Sequence, residues 1–126
     1  MIYLDTHVAT DLGRLGRVEK LDKEAKRLLD AATEIRISPM VVLELKILSE
    51  IGRIKISPND ILDLLVRNLN FSVCGRPFAD VAKAAAAEGW TRDPFDRIIV
   101  AQARIAKAPL ITRDTTIQSH YGKAIG

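Results

Sequence analysis

A chain of 126 residues, 48% apolar and 28% charged, suits one globular domain spanning 1–126 and is too apolar for a disordered segment. Its net charge of +3, from 19 basic and 16 acidic residues, is compatible with nucleic-acid binding but does not require it. The single cysteine, Cys74, excludes an internal disulfide, and no Cys/His cluster offers a zinc site. No apolar run approaches the roughly 18–20 residues of a membrane-spanning helix. Met1-Ile2-Tyr3-Leu4-Asp5 reaches an acid too early for a signal peptide, so a cytoplasmic protein without membrane contact is expected.

In chain order, Ile2-Tyr3-Leu4 reads as a first strand that ends at Asp5-Thr6. A helix is predicted from about Asp22, with Ala25, Leu28, Leu29 and Ala32 at helical spacing, and Ile35-Arg36-Ile37 follows as a second strand. Ser38-Pro39 supplies an N-cap and a first-turn proline for a helix that Gly52 stops. Ser57-Pro58-Asn59-Asp60 repeats the device as a capping box, and its helix carries Ile61, Leu62, Leu65 and Val66. Asn70 to Cys74 is the third predicted strand. An alanine-rich helix runs from about Phe78 to Glu88 and stops at Gly89. Asp93-Pro94-Phe95-Asp96 opens another helix, with Ile98, Ala101, Gln102 and Ile105 along one side. Pro109 to Thr112 forms a fourth strand ending at Arg113-Asp114, and Tyr121 to Gly126 has room for a very short last one. Short strands alternating with helices indicate an α/β fold with a mostly parallel sheet and helices on both faces.

Several carboxylates occupy positions that ask for an explanation. On the helix after Pro39, Met40, Leu43, Glu44, Ile47, Leu48 and Ile51 share a face, so Glu44 is predicted within an inward stripe. An unpartnered buried carboxylate costs several kcal/mol. A metal ion, a basic partner or a place at the rim of the core would each relieve it. Asp5 and Asp114 end the first and fourth strands. They become neighbours if strands two and three lie on one side of strand one and strand four on the other. Asp93 and Asp96 start the helix that leads into strand four. Each aspartate has its own structural explanation as a cap. Taken together they predict one acidic cluster, whose hard oxygen donors favour Mg²⁺ or Mn²⁺ over zinc.

Four segments carry a resemblance to a known family: Ile2-Tyr3-Leu4-Asp5-Thr6-His7, Ile37-Ser38-Pro39 with Val42-Leu43-Glu44-Leu45, Arg92-Asp93-Pro94-Phe95-Asp96-Arg97 before Ile98 to Ala103, and Leu110-Ile111-Thr112-Arg113-Asp114. In this order the chain resembles the PIN-domain nucleases, and most closely the VapC-type ribonuclease toxins of type II toxin–antitoxin pairs. The resemblance implies a three-layer α/β/α sandwich with a sheet of four to five short strands, and an acidic pocket for one or two divalent cations. It matches Asp5, Glu44, Asp96 and Asp114 to the family's catalytic, metal-binding acids and Asp93 to an additional acid. Thr6 and Thr112 match supporting hydroxyl positions. Ala9-Thr10-Asp11 departs from the bulky apolar or aromatic residues of many relatives, which bears on substrate and partner contacts.

The implied activity is endoribonuclease cleavage with Mg²⁺ or Mn²⁺, with a cognate antitoxin that occludes the pocket and a homodimer as the assembly. Apolar positions on the helices after Pro39 and Pro58 are candidates for those interfaces, or simply for the core. Arg92, Arg97 and Arg113 flank the acids as candidate RNA contacts. The run Arg14, Arg17, Lys20, Lys23, Lys26 and Arg27 is a second candidate track, equally well read as a solvated face. Rival readings are a PIN nuclease of RNA processing outside any toxin pair, a PIN-fold RNA- or protein-binding module that does not cut, and metal-free acid–base cleavage by His7 and His120. Aspartate-nucleophile phosphatases need a second aspartate where His7 stands, and Thr112-Arg113-Asp114 fits a receiver domain poorly.

Overall fold

The computed structural model describes residues 1–126. Its elements run β1 (Ile2–Leu4), α1 (Thr6–Leu15), α2 (Lys23–Ala31), β2 (Ile35–Ile37), α3 (Pro39–Glu50), α4 (Pro58–Asn68), β3 (Phe71–Val73), α5 (Phe78–Ala85), α6 (Pro94–Ile105), β4 (Leu110–Ile111), α7 (Thr115–His120) and β5 (Ala124–Ile125). The sheet is parallel throughout, in the order β3-β2-β1-β4-β5. The crossover from β3 to β4 therefore passes to the other side of β1. The topological switch lies between β1 and β4, where Leu4 pairs with Ile37 on one side and Ile111 on the other.

Every residue of β1 is buried, so helices cover both faces of the sheet. The core gathers Tyr3, Leu4, Ile37, Leu110 and Ile111 from the strands with Val8, Val41, Leu45, Ile61, Leu65 and Val100 from the helices. Capping chemistry defines the helix starts. Asp22 accepts from Ala25 N at 2.7 Å and Ser38 from Met40 N at 3.0 Å. Gly52, at φ 77°, takes the left-handed conformation that follows the end of α3.

Four local expectations are revised. Two helices, α1 and α7, lie where the sequence had shown none. The buried stripe of α3 is Val41 and Leu45, while Leu43 is 48% and Ile51 61% exposed. Packing against α1, α4 and α6 rotates the inward face of α3 by about one residue, which leaves Glu44 half-buried at the rim. Helix α5 ends at Ala85, because Glu88 turns inward to meet Arg104 at 2.6 Å and the Trp90 indole at 2.7 Å. Ser57 makes no side-chain cap for α4.

Helices α1 and α4 meet at Gly13, where a Cβ would lie 2.6 Å from Ile61 Cγ2 and 3.1 Å from Ile61 O. Gly13→Ala gains up to about 1 kcal/mol of helix propensity. The clash with a β-branched side chain and its backbone costs about 1–3 kcal/mol. Urea denaturation should show a net loss of about 1 kcal/mol. An unchanged midpoint would mean that Ile61 moves aside freely.

Candidate active site

Beyond the carboxyl ends of β1 and β4 a pocket opens, lined by Asp5, Thr6, His7, Glu44, Asp93, Asp96, Ile99, Arg113, Asp114 and Ile117. Three of its acids are helix caps. Asp5 Oδ1 accepts from Val8 N at 2.9 Å, Asp93 Oδ1 from Phe95 N at 2.8 Å, and Asp114 Oδ1 from Thr116 N at 2.8 Å. Strand-to-helix turns at Asp5 and Asp114, and the α5–α6 connection at Asp93, thus place each carboxylate against backbone N–H groups, which partly compensate negative charge. Capping and membership of the pocket are consequently the same fact for these residues.

Two threonines hold two acids in place. The Thr112 hydroxyl donates to Asp5 Oδ2, and the Thr6 hydroxyl donates to Glu44 Oε1. Both threonines and Asp5 are buried. Glu44 is half-buried and its partner is a hydroxyl, so the alternative of a compensating lysine or arginine does not apply.

Asp96 differs from the rest because no hydrogen-bond donor reaches its carboxylate. Burial, then the charges of Asp93, Asp114, Glu44 and Asp5, push it from its ordinary 3.8 up to about 6. Those four neighbours are the very acids that share the pocket with it. Burial also raises Asp5, against the opposing pull of the Thr112 hydroxyl, the Val8 N–H, His7 and Arg113. Like charges crowded without a cation disfavour ionisation in this way.

No three His, Cys, Asp or Glu side chains stand in an arrangement that holds a metal ion as they are. Their donor set is nevertheless all oxygen and suits a hard divalent cation. The half-buried Asp96 carboxylate, surrounded by the other acids and without a protein donor, is the group with most to gain from one.

The predicted arginines divide. Arg113 lines the pocket and donates to Asp11 at 2.8 Å and to Glu19 O at 2.7 Å. Arg92 and Arg97 stand outside the lining and brace the turn before α6, with Arg97 Nε on Thr91 O at 2.7 Å and Arg92 Nη1 on Gly89 O at 3.0 Å. His7 lines the pocket but His120 does not. The His120 ring stacks on Trp90 with centroids 4.9 Å apart, and its carbonyl accepts from Arg104 at 2.9 Å. The segment around His120 is therefore tied down away from the acids, and the two histidines form no catalytic pair. Asp11 stands out in the sequence only as part of the departing Ala9-Thr10-Asp11 segment; its contact with Arg113 spans 102 residues and carries no local signal.

A family model described as PIN domain matches residues 2–123. The chain belongs to the PIN-domain family. Solved structures extend the comparison to neighbouring folds. This PIN domain superposes on a toxin–antitoxin complex from Klebsiella pneumoniae with a TM-score of 0.65 at 20% identity, covering 100% of this chain and 97% of the other. VapBC2 from Rickettsia felis, bound to a DNA fragment from its promoter, gives 0.61 at 19% identity with 94% and 92% covered. FitAcB from Neisseria gonorrhoeae gives 0.50 at 21% identity with 93% and 90% covered. No curated protein sequence matches. At these identities the solved structures establish the shared fold. No helix of the PIN domain is long and apolar enough to cross a membrane.

Proposed function

We propose that this chain, a single PIN domain over residues 1–126, is a Mg²⁺- or Mn²⁺-dependent endoribonuclease and the VapC-type toxin of a type II toxin–antitoxin pair. The observation that carries the reading is the meeting of Asp5, Glu44, Asp93, Asp96 and Asp114 in one pocket at the switch point. A bound divalent cation would supply charge relief on the phosphate and a water of lowered pKa as nucleophile. Asp5, Asp96 and Asp114 would hold it, with Asp93 in support.

Around that centre each residue has a definite task. Glu44 would ligate the cation or orient the attacking water, and the Thr6 hydroxyl holds its carboxylate in place. Thr112 does the same for Asp5. Arg113, fixed by Asp11, offers a cation to the substrate phosphate. Helices α3 and α4 leave Leu43, Ile51 and Val66 in solvent at 48%, 61% and 61% exposure. These apolar side chains support an antitoxin contact or a homodimer, as does the fold shared with toxin–antitoxin complexes.

Incubating the purified chain with single-stranded RNA in Mg²⁺, Mn²⁺ or EDTA tests the activity. Fragments are expected with either cation and none with chelator. Cleavage that ignores EDTA would remove the metal from the mechanism. RNA binding without cleavage in either cation would favour the binding-module reading.

A further inference from the structure

A second depression adjoins the acidic pocket, and His7 and Arg113 line both, so the two form one continuous surface. Its walls are α1, through Arg14, and the loop between α3 and α4, through Arg53 and Lys55. Four cations, Arg14, Arg53, Lys55 and Arg113, thus face a single carboxylate, Asp11. Asp11 is already engaged by Arg113 at 2.8 Å and Arg14 at 3.6 Å. Arg53 and Lys55 are exposed and make neither an ion pair nor a side-chain hydrogen bond.

The sequence of this loop explains the arrangement. In Arg53-Ile54-Lys55-Ile56 the two isoleucines pack against the core, so the alternating basic side chains are turned outward. The loop is pinned while its cations stay free. No aromatic ring except the His7 imidazole lines the groove, which favours recognition of backbone phosphates over stacking on bases. A polyanion entering a pocket of carboxylates meets repulsion, and cations directly beside the pocket offset it.

We infer that this groove holds the phosphates of single-stranded RNA adjacent to the scissile bond, with Arg53 and Lys55 as its backbone contacts. The inference rests on the ribonuclease reading. It moves the RNA track away from Arg92 and Arg97, which line neither the acidic pocket nor the groove, and away from the basic residues of α2, which line a separate depression.

The test uses a fluorescent single-stranded RNA, an Asp96→Asn background that binds without cutting, and anisotropy titrations across a range of salt. Arg53→Ala combined with Lys55→Ala is expected to weaken binding about 10-fold at ~0.1 M salt. It should also flatten the salt dependence by roughly 1.4 log units per log unit of salt, about 0.7 for each single-strand phosphate that is no longer neutralised. Both residues lie in solvent, and circular dichroism verifies that the fold is kept. Unchanged affinity and slope in this variant would overturn the groove. So would a loss seen only in Lys23→Ala combined with Lys26→Ala on α2. Because binding is read separately from cleavage, weakened binding with an inactive wild-type chain keeps the groove and rejects the nuclease. Active cleavage with unaltered binding keeps the nuclease and rejects the groove.

Discussion

Asp5→Asn and Asp96→Asn each leave the chain folded and reduce metal-dependent RNA cleavage by on the order of 10³ or more, equivalent to about 4 kcal/mol of transition-state stabilisation. Asparagine keeps the size and the capping oxygen of aspartate, so Val8 N at 2.9 Å retains its acceptor in the Asp5 variant. What is lost is the charge that a cation requires and, in the Asp5 variant, the acceptor of the Thr112 hydroxyl. Thr6→Val should give a smaller loss, because Glu44 keeps its charge and only its orientation is released. Cleavage rates with Mn²⁺ and Mg²⁺ at matched protein concentration provide the comparison. Full activity in both asparagine variants would defeat the assignment.

Asp96→Asn also makes the cation-free chain more stable at pH 7.5. The folded carboxyl is pushed up to about 6 from its ordinary 3.8. A raised acid favours the fold fully below its unfolded value, and that contribution is lost as pH rises from 3.8 through about 6. At pH 7.5 the ionised Asp96 therefore weighs against folding, and a neutral asparagine removes the penalty. Partial exposure screens the effect, which leaves about 1–2 kcal/mol. The advantage should vanish near pH 4, where the aspartate itself is protonated in the fold. Saturating Mg²⁺ should raise the melting temperature of the wild type more than that of the variant. Thermal melts in EDTA at several pH values decide the matter, and equal stability at pH 7.5 would show that the acids do not press on Asp96. Function and stability are thus opposed at one side chain.

How much of this was legible beforehand depends on the type of signal. Ser38-Pro39 and Asp93-Pro94 announced their helices because capping is a local hydrogen bond between near neighbours, at 3.0 Å and 2.8 Å here. Ile2 to Leu4 and Leu110-Ile111 read as buried strands because a sheet covered on both faces demands unbroken apolar runs. Helix α1 was hidden by Thr6, Val8, Thr10 and Gly13, residues of indifferent or poor helix propensity. It forms because its Val8, Ala9 and Leu12 face is buried in the core, a tertiary effect that outweighs local preference. Helix α7 was too short for a periodic signal and depends on Asp114 for its start and Ile117 for its burial.

The acids themselves were nameable from the chain, since catalytic chemistry constrains residue type and the order of segments carries the family pattern. Their union in space was legible only on the condition that β4 lies on the far side of β1, and the strand order meets that condition. The threonine contacts to Asp5 and Glu44 span 107 and 38 residues, and the groove joins the loop after α3 to α1. Local sequence determined the strands, most helix starts and the identity of the charged groups, each governed by interactions within a few residues. The tertiary structure alone decided that the strand order joins the predicted acids, which arginines are left free for a ligand and how far Asp96 is pushed from its ordinary ionisation, because burial and Coulomb repulsion depend on distance in space.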